Sequence, residues 1–117
     1  MTHAWPLGDL DHCYLTTTGR HTGRPHRIEI WFALADGTAY LLSGGGDRSD
    51  WVRNLMISPD VVLQIGEEKR STKARVVTDP EEDALARRLV VEKYAPRDPD
   101  DLTDWGKSSL PIAIDWL

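Results

Sequence analysis

Apolar and polar residues alternate most regularly between His26 and Leu34. Because successive side chains of a strand point to opposite faces, this alternation predicts one half-buried strand over the whole stretch. The two faces carry His26, Ile28, Ile30, Phe32 and Leu34 on one side, and Arg27, Glu29, Trp31 and Ala33 on the other. Runs of β-forming residues bounded by turn signals predict five further strands, over residues 12–18, 38–43, 61–65, 71–78 and 110–117.

Two short helices interrupt this series of strands. The first is predicted over residues 49–57 and is stopped by the serine-proline pair that follows it. The second covers about residues 80–94 and begins with a capping box, in which Asp79 caps the helix and Glu82 reaches back to the cap. Residues 97–109 are largely acidic and polar, and they are predicted to form a loop.

The predicted order of elements is therefore β-β-β-α-β-β-α-β. Strands linked by hairpins fit a small antiparallel barrel better than a parallel sheet, in which each strand needs a crossover helix. A chain of 117 residues is long enough for one domain, spanning residues 1–117, and too short for two. Six strands would leave some apolar surface of the barrel open, and a homodimer would cover that surface.

Composition and charge exclude several classes of function. Hydrophobic residues make up 40% of the chain and charged residues 28%, as in an ordinary globular protein. The formal net charge of -5 argues against nucleic-acid binding, which normally needs a broad basic surface. No apolar run approaches the ~18 residues of a transmembrane segment, and residues 1–6 do not resemble a signal peptide. We therefore expect a cytoplasmic protein, in which the single Cys13 forms no internal disulfide.

Positive charge is nevertheless concentrated in residues 19–27, Gly-Arg-His-Thr-Gly-Arg-Pro-His-Arg. Since like charges this close repel one another, an anion bound among them would explain the stretch. Arginine presents forked donors that match phosphate or carboxylate oxygens, and glycine lets backbone N–H groups approach such a ligand. The stretch is predicted to be an anion-binding turn between two strands. A solvated hairpin loop is the alternative interpretation.

A second candidate element is the run Gly44-Gly45-Gly46, which follows a predicted strand. Three glycines in a row suit a backbone that passes close to a flat or charged ligand, and free N–H groups at the next helix would favour an anion. A flexible linker is the alternative. On that helix, Trp51 is expected mainly in the core, whereas Arg53 or Asn54 could face either the ligand or solvent.

Other chemistries find little support in the sequence. His21 and His26 lie in or beside the basic turn, but no carboxylate or thiol stands at metal-ligand spacing from them, so no metal site is predicted. No serine lies in a nucleophile elbow, which argues against a serine hydrolase. Cys13 has apolar neighbours and is expected to be buried and inert. No catalytic residue of the chain itself can be assigned.

Five motifs within residues 15–65 then stand out together. They are Leu15-Thr16-Thr17-Thr18-Gly19-Arg20-His21-Thr22-Gly23-Arg24-Pro25, Ile30-Trp31-Phe32, Tyr40-Leu41-Leu42-Ser43-Gly44-Gly45, Asp50-Trp51-Val52-Arg53-Asn54-Leu55 and Pro59-Asp60-Val61. In this order and spacing they resemble the deazaflavin-dependent nitroreductase family, which belongs to the split β-barrel flavin/deazaflavin oxidoreductases. The resemblance covers about half of the chain, and its most specific part is the basic turn combined with the Trp-x-x-Asn-Leu helix.

The resemblance implies a mainly β split barrel of the FMN-binding-like type, with six antiparallel strands, two short helices and coenzyme F420 in a groove of a homodimer. The cofactor's phosphate and glutamyl tail would lie on the basic turn, at Thr18, Gly19, Arg20, His21, Thr22, Gly23 and Arg24. The deazaflavin ring or its ribityl chain would meet Ser43, Gly44, Gly45 and Gly46, with Trp51, Arg53 and Asn54 flanking the pocket. F420 is strongly anionic and needs a basic site, whereas FMN, the usual alternative in this superfamily, carries only one phosphate.

The reaction implied by the resemblance is hydride transfer from the reduced deazaflavin to an electron-poor small molecule, such as a quinone, an enone or a nitro compound. Tyr40, His26 or ordered water could supply a proton. Two other functions stay open, an F420 carrier or storage protein without efficient turnover and an FMN- or heme-binding split-barrel protein. Members of the resembled family often carry a longer N-terminal segment that helps to form the acceptor site, whereas about 11 residues precede the first predicted strand here. The acceptor site is therefore expected to be open, built by the partner subunit or absent, with Trp5 as a candidate cover.

Overall fold

The computed structural model describes residues 7–117, which leaves Trp5 outside the described part of the chain. Within this range the strands are β1 (Cys13–Thr18), β2 (Pro25–Ile30), β3 (Ala33–Ala35), β4 (Thr38–Ser43), β5 (Asp60–Ile65), β6 (Glu68–Val76) and β7 (Leu110–Asp115). The α-helices are α1 (Asp50–Ile57), α2 (Pro80–Tyr94) and α3 (Thr103–Ser108), and single turns of 3₁₀ helix cover Leu7–Asp9, Gly46–Arg48 and Ala95–Arg97. None of the helices described is long and apolar enough to cross a membrane.

The strands form one antiparallel sheet in the order β2-β1-β5-β6-β7-β4-β3, which folds over at β6. Residues 68–73 of β6 pair with β5, whereas Ala74, Arg75 and Val76 pair with β7. The inner faces of the two halves therefore enclose a common core, built mainly from Cys13, Leu15, Phe32, Leu41, Leu63, Ile65, Ile112 and Ile114. This arrangement confirms the small antiparallel barrel that the sequence predicts.

The single strand predicted over residues 26–34 is wrong, because the chain changes sheet halves at Trp31 and Phe32. β2 pairs with β1 at one edge of the sheet, and β3 pairs with β4 at the other edge. Phe32 is fully buried in the barrel, whereas the Trp31 ring stacks on Tyr94 of α2 with 4.3 Å between ring centroids. The Tyr94 hydroxyl accepts from the Phe32 N–H at 3.0 Å and donates to the Asp11 carbonyl at 2.7 Å. The crossing gives seven strands instead of six.

Helix α2 covers the outer face of the half that contains β4 and β7. Its residues Ala86, Val90 and Tyr94 are buried against Ala33, Tyr40, Leu42 and Ala113 of the sheet. The predicted cap is present, since an Asp79 carboxylate oxygen accepts from the Glu82 N–H at 3.0 Å. The predicted return contact of Glu82 is wrong, because its carboxylate instead accepts two hydrogen bonds from Arg75 and one from Tyr40.

The segment predicted as a loop over residues 97–109 contains helix α3. The structure therefore has three α-helices within residues 7–117, whereas the sequence predicted two. Gly106 allows α3 to lie close to α2, since a β-carbon there would stand 2.6 Å from the Val91 Cγ2 atom. The Trp105 ring meets the Trp31 ring edge-on at 5.6 Å. A helix of six residues is too short to show a periodic pattern, and it is stabilised here by these tertiary contacts.

Candidate functional site

The basic turn between β1 and β2 is closed by its own backbone. The Gly19 N–H donates to the Arg24 carbonyl at 2.8 Å, and the Gly23 N–H donates to the Gly19 carbonyl at 2.8 Å. Gly23 has a φ of 74°, and a β-carbon on Gly19 would stand 2.6 Å from His26 Nε2, so both positions favour glycine. The N–H groups of Gly19 and Gly23 are therefore engaged within the turn and do not face an anion.

A buried amide joins the turn to helix α1. Asn54 is 3% exposed, and its Oδ1 accepts from the Arg20 N–H at 3.2 Å and from Arg20 Nη1 at 2.9 Å. Its Nδ2 donates to the buried Thr17 hydroxyl at 3.1 Å. Arg20 also donates from Nη2 to Asp50 Oδ1 at 3.0 Å. Asn54 thus holds β1, the turn and α1 together, and Arg20 is partly engaged within the protein.

These contacts border a groove of about 420 Å³, here called the basic groove. Its lining residues are Gly19, Arg20, His21, Thr22, His26, Arg27, Ile28, Asp50, Trp51 and Asn54. Ile28 and Trp51 supply apolar surface, whereas His21 and His26 are exposed polar groups beside it. The Arg27 guanidinium lies 4.1 Å from the centre of the Tyr14 ring. Donor side chains beside an apolar wall fit a ligand that is anionic at one end and flat at the other.

A second groove, of about 610 Å³, lies at the other end of β2 and is here called the tryptophan groove. Its lining residues are His12, Glu29, Ile30, Trp31, Leu42, Asp98, Asp100, Asp101, Leu102 and Trp105. Ile28 of the basic groove and Ile30 of the tryptophan groove pair with Leu15 and Cys13, so they share the inner face of β2. Two residues along a strand span about 7 Å. The two grooves are therefore neighbours along one strand.

The glycine loop, residues 44–46, lies beside the Trp105 side of the tryptophan groove. A β-carbon on Gly44 would stand 3.0 Å from Trp105 Nε1, and one on Gly45 would stand 2.5 Å from the Ser49 hydroxyl. The buried Ser43 hydroxyl donates to the Gly46 carbonyl at 2.9 Å and contacts the Ser49 hydroxyl at 2.9 Å. Close packing therefore favours glycine at positions 44 and 45, and a φ of 62° favours it at position 46. These hydrogen bonds make the loop a fixed turn, which is not the flexible linker considered from the sequence.

The structure separates the other candidate residues. Thr18 and Gly23 border a groove on the outer face of the sheet, and Arg24 is exposed at the turn. Arg53 points away from the basic groove, since its Nε donates to the Asp47 carbonyl at 3.1 Å. The Tyr40 hydroxyl donates to Glu82 at 2.8 Å on the side covered by α2. Neither Arg53 nor Tyr40 lines the basic or the tryptophan groove.

Sequence reasoning missed Asp50 and the tryptophan groove. Asp50 lies 30 residues from Arg20 in the chain, and nothing in the local pattern links the two. The tryptophan groove had one signal, the five tryptophans of so short a chain, but their positions gave no indication that Trp31 and Trp105 meet.

Among residues 7–117, the remaining nucleophilic and metal-ligating side chains form no second site. Burial raises the pKa of the Cys13 thiol to about 12, as expected for an inert thiol. Across residues 7–117, no group of three or more histidine, cysteine or acidic side chains is placed to hold a metal ion.

Comparison with known proteins identifies the family. Residues 2–115 match the family model described as F420H(2)-dependent quinone reductase. The chain is 36% identical over 107 residues to the F420H(2)-dependent quinone reductase Rv1261c of Mycobacterium tuberculosis (strain ATCC 25618 / H37Rv), covering 86% of this chain and 68% of that protein.

Solved structures show the same fold. The structure titled F420-H2 Dependent Reductase (FDR-A) aligns with a TM-score of 0.69 and 23% identity, over 90% of this chain and 93% of that one. A structure titled as a domain-swapped dimer aligns with a TM-score of 0.71 and 22% identity, over 90% of this chain and 79% of that one. These likenesses confirm the split-barrel fold, and the match over residues 2–115 shows that the chain belongs to the F420H(2)-dependent quinone reductase family.

Proposed function

We propose that this chain binds coenzyme F420 along the inner face of β2 and reduces a neutral, electron-poor acceptor such as a quinone. The observation that carries the proposal is the placement of a basic, partly apolar groove next to an aromatic groove on one strand face. When bound, the reduced coenzyme supplies a hydride from carbon 5 of its deazaflavin ring. The protein's own residues bind, orient and shield the reacting groups.

In this proposal the basic groove holds the anionic end of the coenzyme. His21, His26 and Arg27 border the groove, and Arg24 stands exposed on the same turn. F420 carries a phosphate and glutamyl carboxylates, which match several separate donors better than the single phosphate of FMN does. Trp51 and Ile28 offer apolar surface to the chain that joins the phosphate to the ring.

The tryptophan groove receives the flat ring and the acceptor in this proposal. Trp31 is fixed by its stacking on Tyr94 and by its edge contact with Trp105, so the groove presents a rigid aromatic wall. The glycine loop beside Trp105 brings backbone close to the same place. Rigid, preformed apolar walls orient a planar ligand without further ordering of side chains.

Neither side chain considered from the sequence as a proton donor, His26 or Tyr40, lines the tryptophan groove in which the acceptor is placed. His26 borders the basic groove, whereas the Tyr40 hydroxyl is held by Glu82, and burial is the largest of the causes that raise its pKa. We propose that ordered water supplies the proton.

The proposal is tested by measuring binding and turnover with the same protein. F420 and FMN are titrated separately against the intrinsic tryptophan fluorescence, and reduced F420 is mixed with menadione or a nitroaromatic compound while the absorbance of oxidised deazaflavin is followed. Tight F420 binding with turnover supports the reductase. Binding without turnover of any acceptor would indicate the carrier or storage function, and preferential FMN binding would contradict the proposed cofactor.

Charge variants locate the anion site. Arg24→Ala and Arg27→Ala should each weaken F420 binding about ten- to a hundredfold, since a charge-assisted hydrogen bond contributes about 1.5–3 kcal/mol. Arg88→Ala is the matched control, because Arg88 is exposed on α2, outside the basic turn, and lines neither groove. Equal affinities in all three variants would refute the assignment of the basic turn as the anion site.

We also propose a cytoplasmic homodimer. Met56 and Ile57 are 58% and 69% exposed at the end of α1, and a second subunit would cover such apolar surface. A fold neighbour is titled as a domain-swapped dimer. Light scattering of the parent and of the variant Met56→Lys/Ile57→Lys tests the assembly, and a monomeric parent would refute it.

The proposed cytoplasmic location is supported by the lone, buried Cys13, because a free thiol without a disulfide is compatible with a reducing compartment.

A further inference from the structure

Arg20 of the basic groove already holds a carboxylate. Its Nη2 lies 3.0 Å from Asp50 Oδ1, and its Nη1 donates to Asn54 Oδ1 at 2.9 Å and to the Asp50 carbonyl at 3.5 Å. The Arg20 side chain is only 19% exposed, whereas the Asp50 side chain is 85% exposed. The guanidinium is therefore fixed on its buried side by Asn54, and the carboxylate is the partner that is free to leave.

We propose that Asp50 is a specificity-determining residue of the basic groove, because its carboxylate occupies the place on Arg20 that an incoming phosphate or carboxylate would take. The chemical nature of the ligand rests on the proposed function, but the contact between Arg20 and Asp50 does not. A ligand must carry an anionic group that displaces Asp50 from the guanidinium. A neutral ligand gains nothing from that exchange.

A bound anion and the Asp50 carboxylate would compete for the same N–H donors of Arg20. A guanidinium has five N–H donors, and the contacts with Asn54 and Asp50 engage both terminal nitrogens. An anion that binds in the forked manner needs two neighbouring donors on one edge, which the Asp50 carboxylate now obstructs. After displacement the Asp50 charge stays near the ligand and repels it, an effect that salt screens.

Asp50→Asn tests this competition while keeping the size of the side chain and an oxygen that can accept from Arg20. We expect the affinity for F420 to rise about three- to tenfold, because the ligand no longer has to break an ion pair and is no longer repelled by the Asp50 charge. The gain should shrink at high salt. The deazaflavin riboside that lacks the phosphate and the tail should bind both proteins equally.

Asp47→Asn is the matched control. Asp47 is exposed shortly before α1, and it does not line the basic groove, so this variant makes the same change in net charge outside the groove. Unchanged F420 affinity in Asp47→Asn, together with a gain in Asp50→Asn, supports the proposal. Equal or weaker F420 binding by Asp50→Asn would overturn it, as would an equal gain in the control.

Inorganic pyrophosphate provides a second probe that does not depend on F420. Amide chemical shifts of residues 19–27 are followed during a pyrophosphate titration of the parent and of Asp50→Asn. A lower dissociation constant in the variant supports the competition even if the parent fails to bind F420, in which case only the proposed function fails. Identical pyrophosphate titrations would overturn the role of Asp50.

Discussion

Asn54→Ala should destabilise the protein strongly, although the residue lies beside the candidate site. The substitution removes three hydrogen bonds, two accepted from Arg20 and one donated to the Thr17 hydroxyl. Asn54 is 3% exposed and Thr17 is 1% exposed, so water does not readily replace the lost partners. At about 1 kcal/mol for each bond, the free energy of unfolding should fall by about 3 kcal/mol. For a domain of this size, that corresponds to a melting temperature lower by roughly 10–15 °C.

Differential scanning calorimetry or thermal circular dichroism measures this change. Gln64→Ala is the control, because the Gln64 amide makes one exposed hydrogen bond, to the Gly66 carbonyl, and its removal should cost about 0.5 kcal/mol or less. Thr17→Val removes the hydroxyl that Asn54→Ala leaves without its partner. The double variant should therefore lose about 1 kcal/mol less than the sum of the two single variants.

A decrease of less than about 3 °C for Asn54→Ala, similar to that of the Gln64→Ala control, would refute the reasoning. Such a result would mean that the amide is replaceable by solvent and that the turn is not held by α1. Strictly additive effects of Thr17→Val and Asn54→Ala would likewise show that these two side chains do not depend on each other.

Three further predictions concern other parts of the fold. Since burial raises the pKa of Cys13 to about 12, a thiol reagent at pH 8 should leave the native protein unlabelled and should label it in denaturant. Burial, aided by Arg97, lowers the pKa of Lys93 from 10.5 to about 8, so the unfolded chain binds more protons there above pH 8. The melting temperature of the parent relative to Lys93→Met should therefore rise between pH 8 and pH 10, and a flat difference would contradict this. Gly106→Ala should cost about 1–3 kcal/mol by overpacking against Val91, and the added change Val91→Ala should recover part of that loss in a thermal melt.

The sequence shows the site where its chemistry is local. Residues 19–27 can be recognised from composition alone, because they contain three arginines and two histidines but no acidic residue. Asp50 could not be found in this way, since its contact with Arg20 depends on how α1 packs across the turn. The hydrogen bonds of Gly19 and Gly23 could not be predicted either. Glycines indicate that the backbone can form a tight turn, but they do not indicate the direction in which its N–H groups point.

The fold was predictable where the alternation and the topology agree, and it was not predictable where the alternation continues through a change of sheet. From residue 26 to 34 the sequence keeps a period of two, yet Phe32 and Ala33 are both buried. Phe32 enters the barrel, and Ala33 packs under α2 in a second cluster. A residue next to a sheet crossing can be buried on either side, so periodicity alone cannot reveal the crossing.

Strand β2 explains why the residues that stabilise the fold also position the candidate site. It lies at the edge of the sheet and pairs only with β1, so a strand ladder holds it on one side alone. At its start, Asn54 and Arg20 tie the preceding turn to α1. Past its end, the Tyr94 hydroxyl holds the Phe32 N–H. These side-chain contacts compensate for the missing ladder and fix the strand along which both grooves lie, so loosening either end should widen the groove at that end before the barrel itself unfolds.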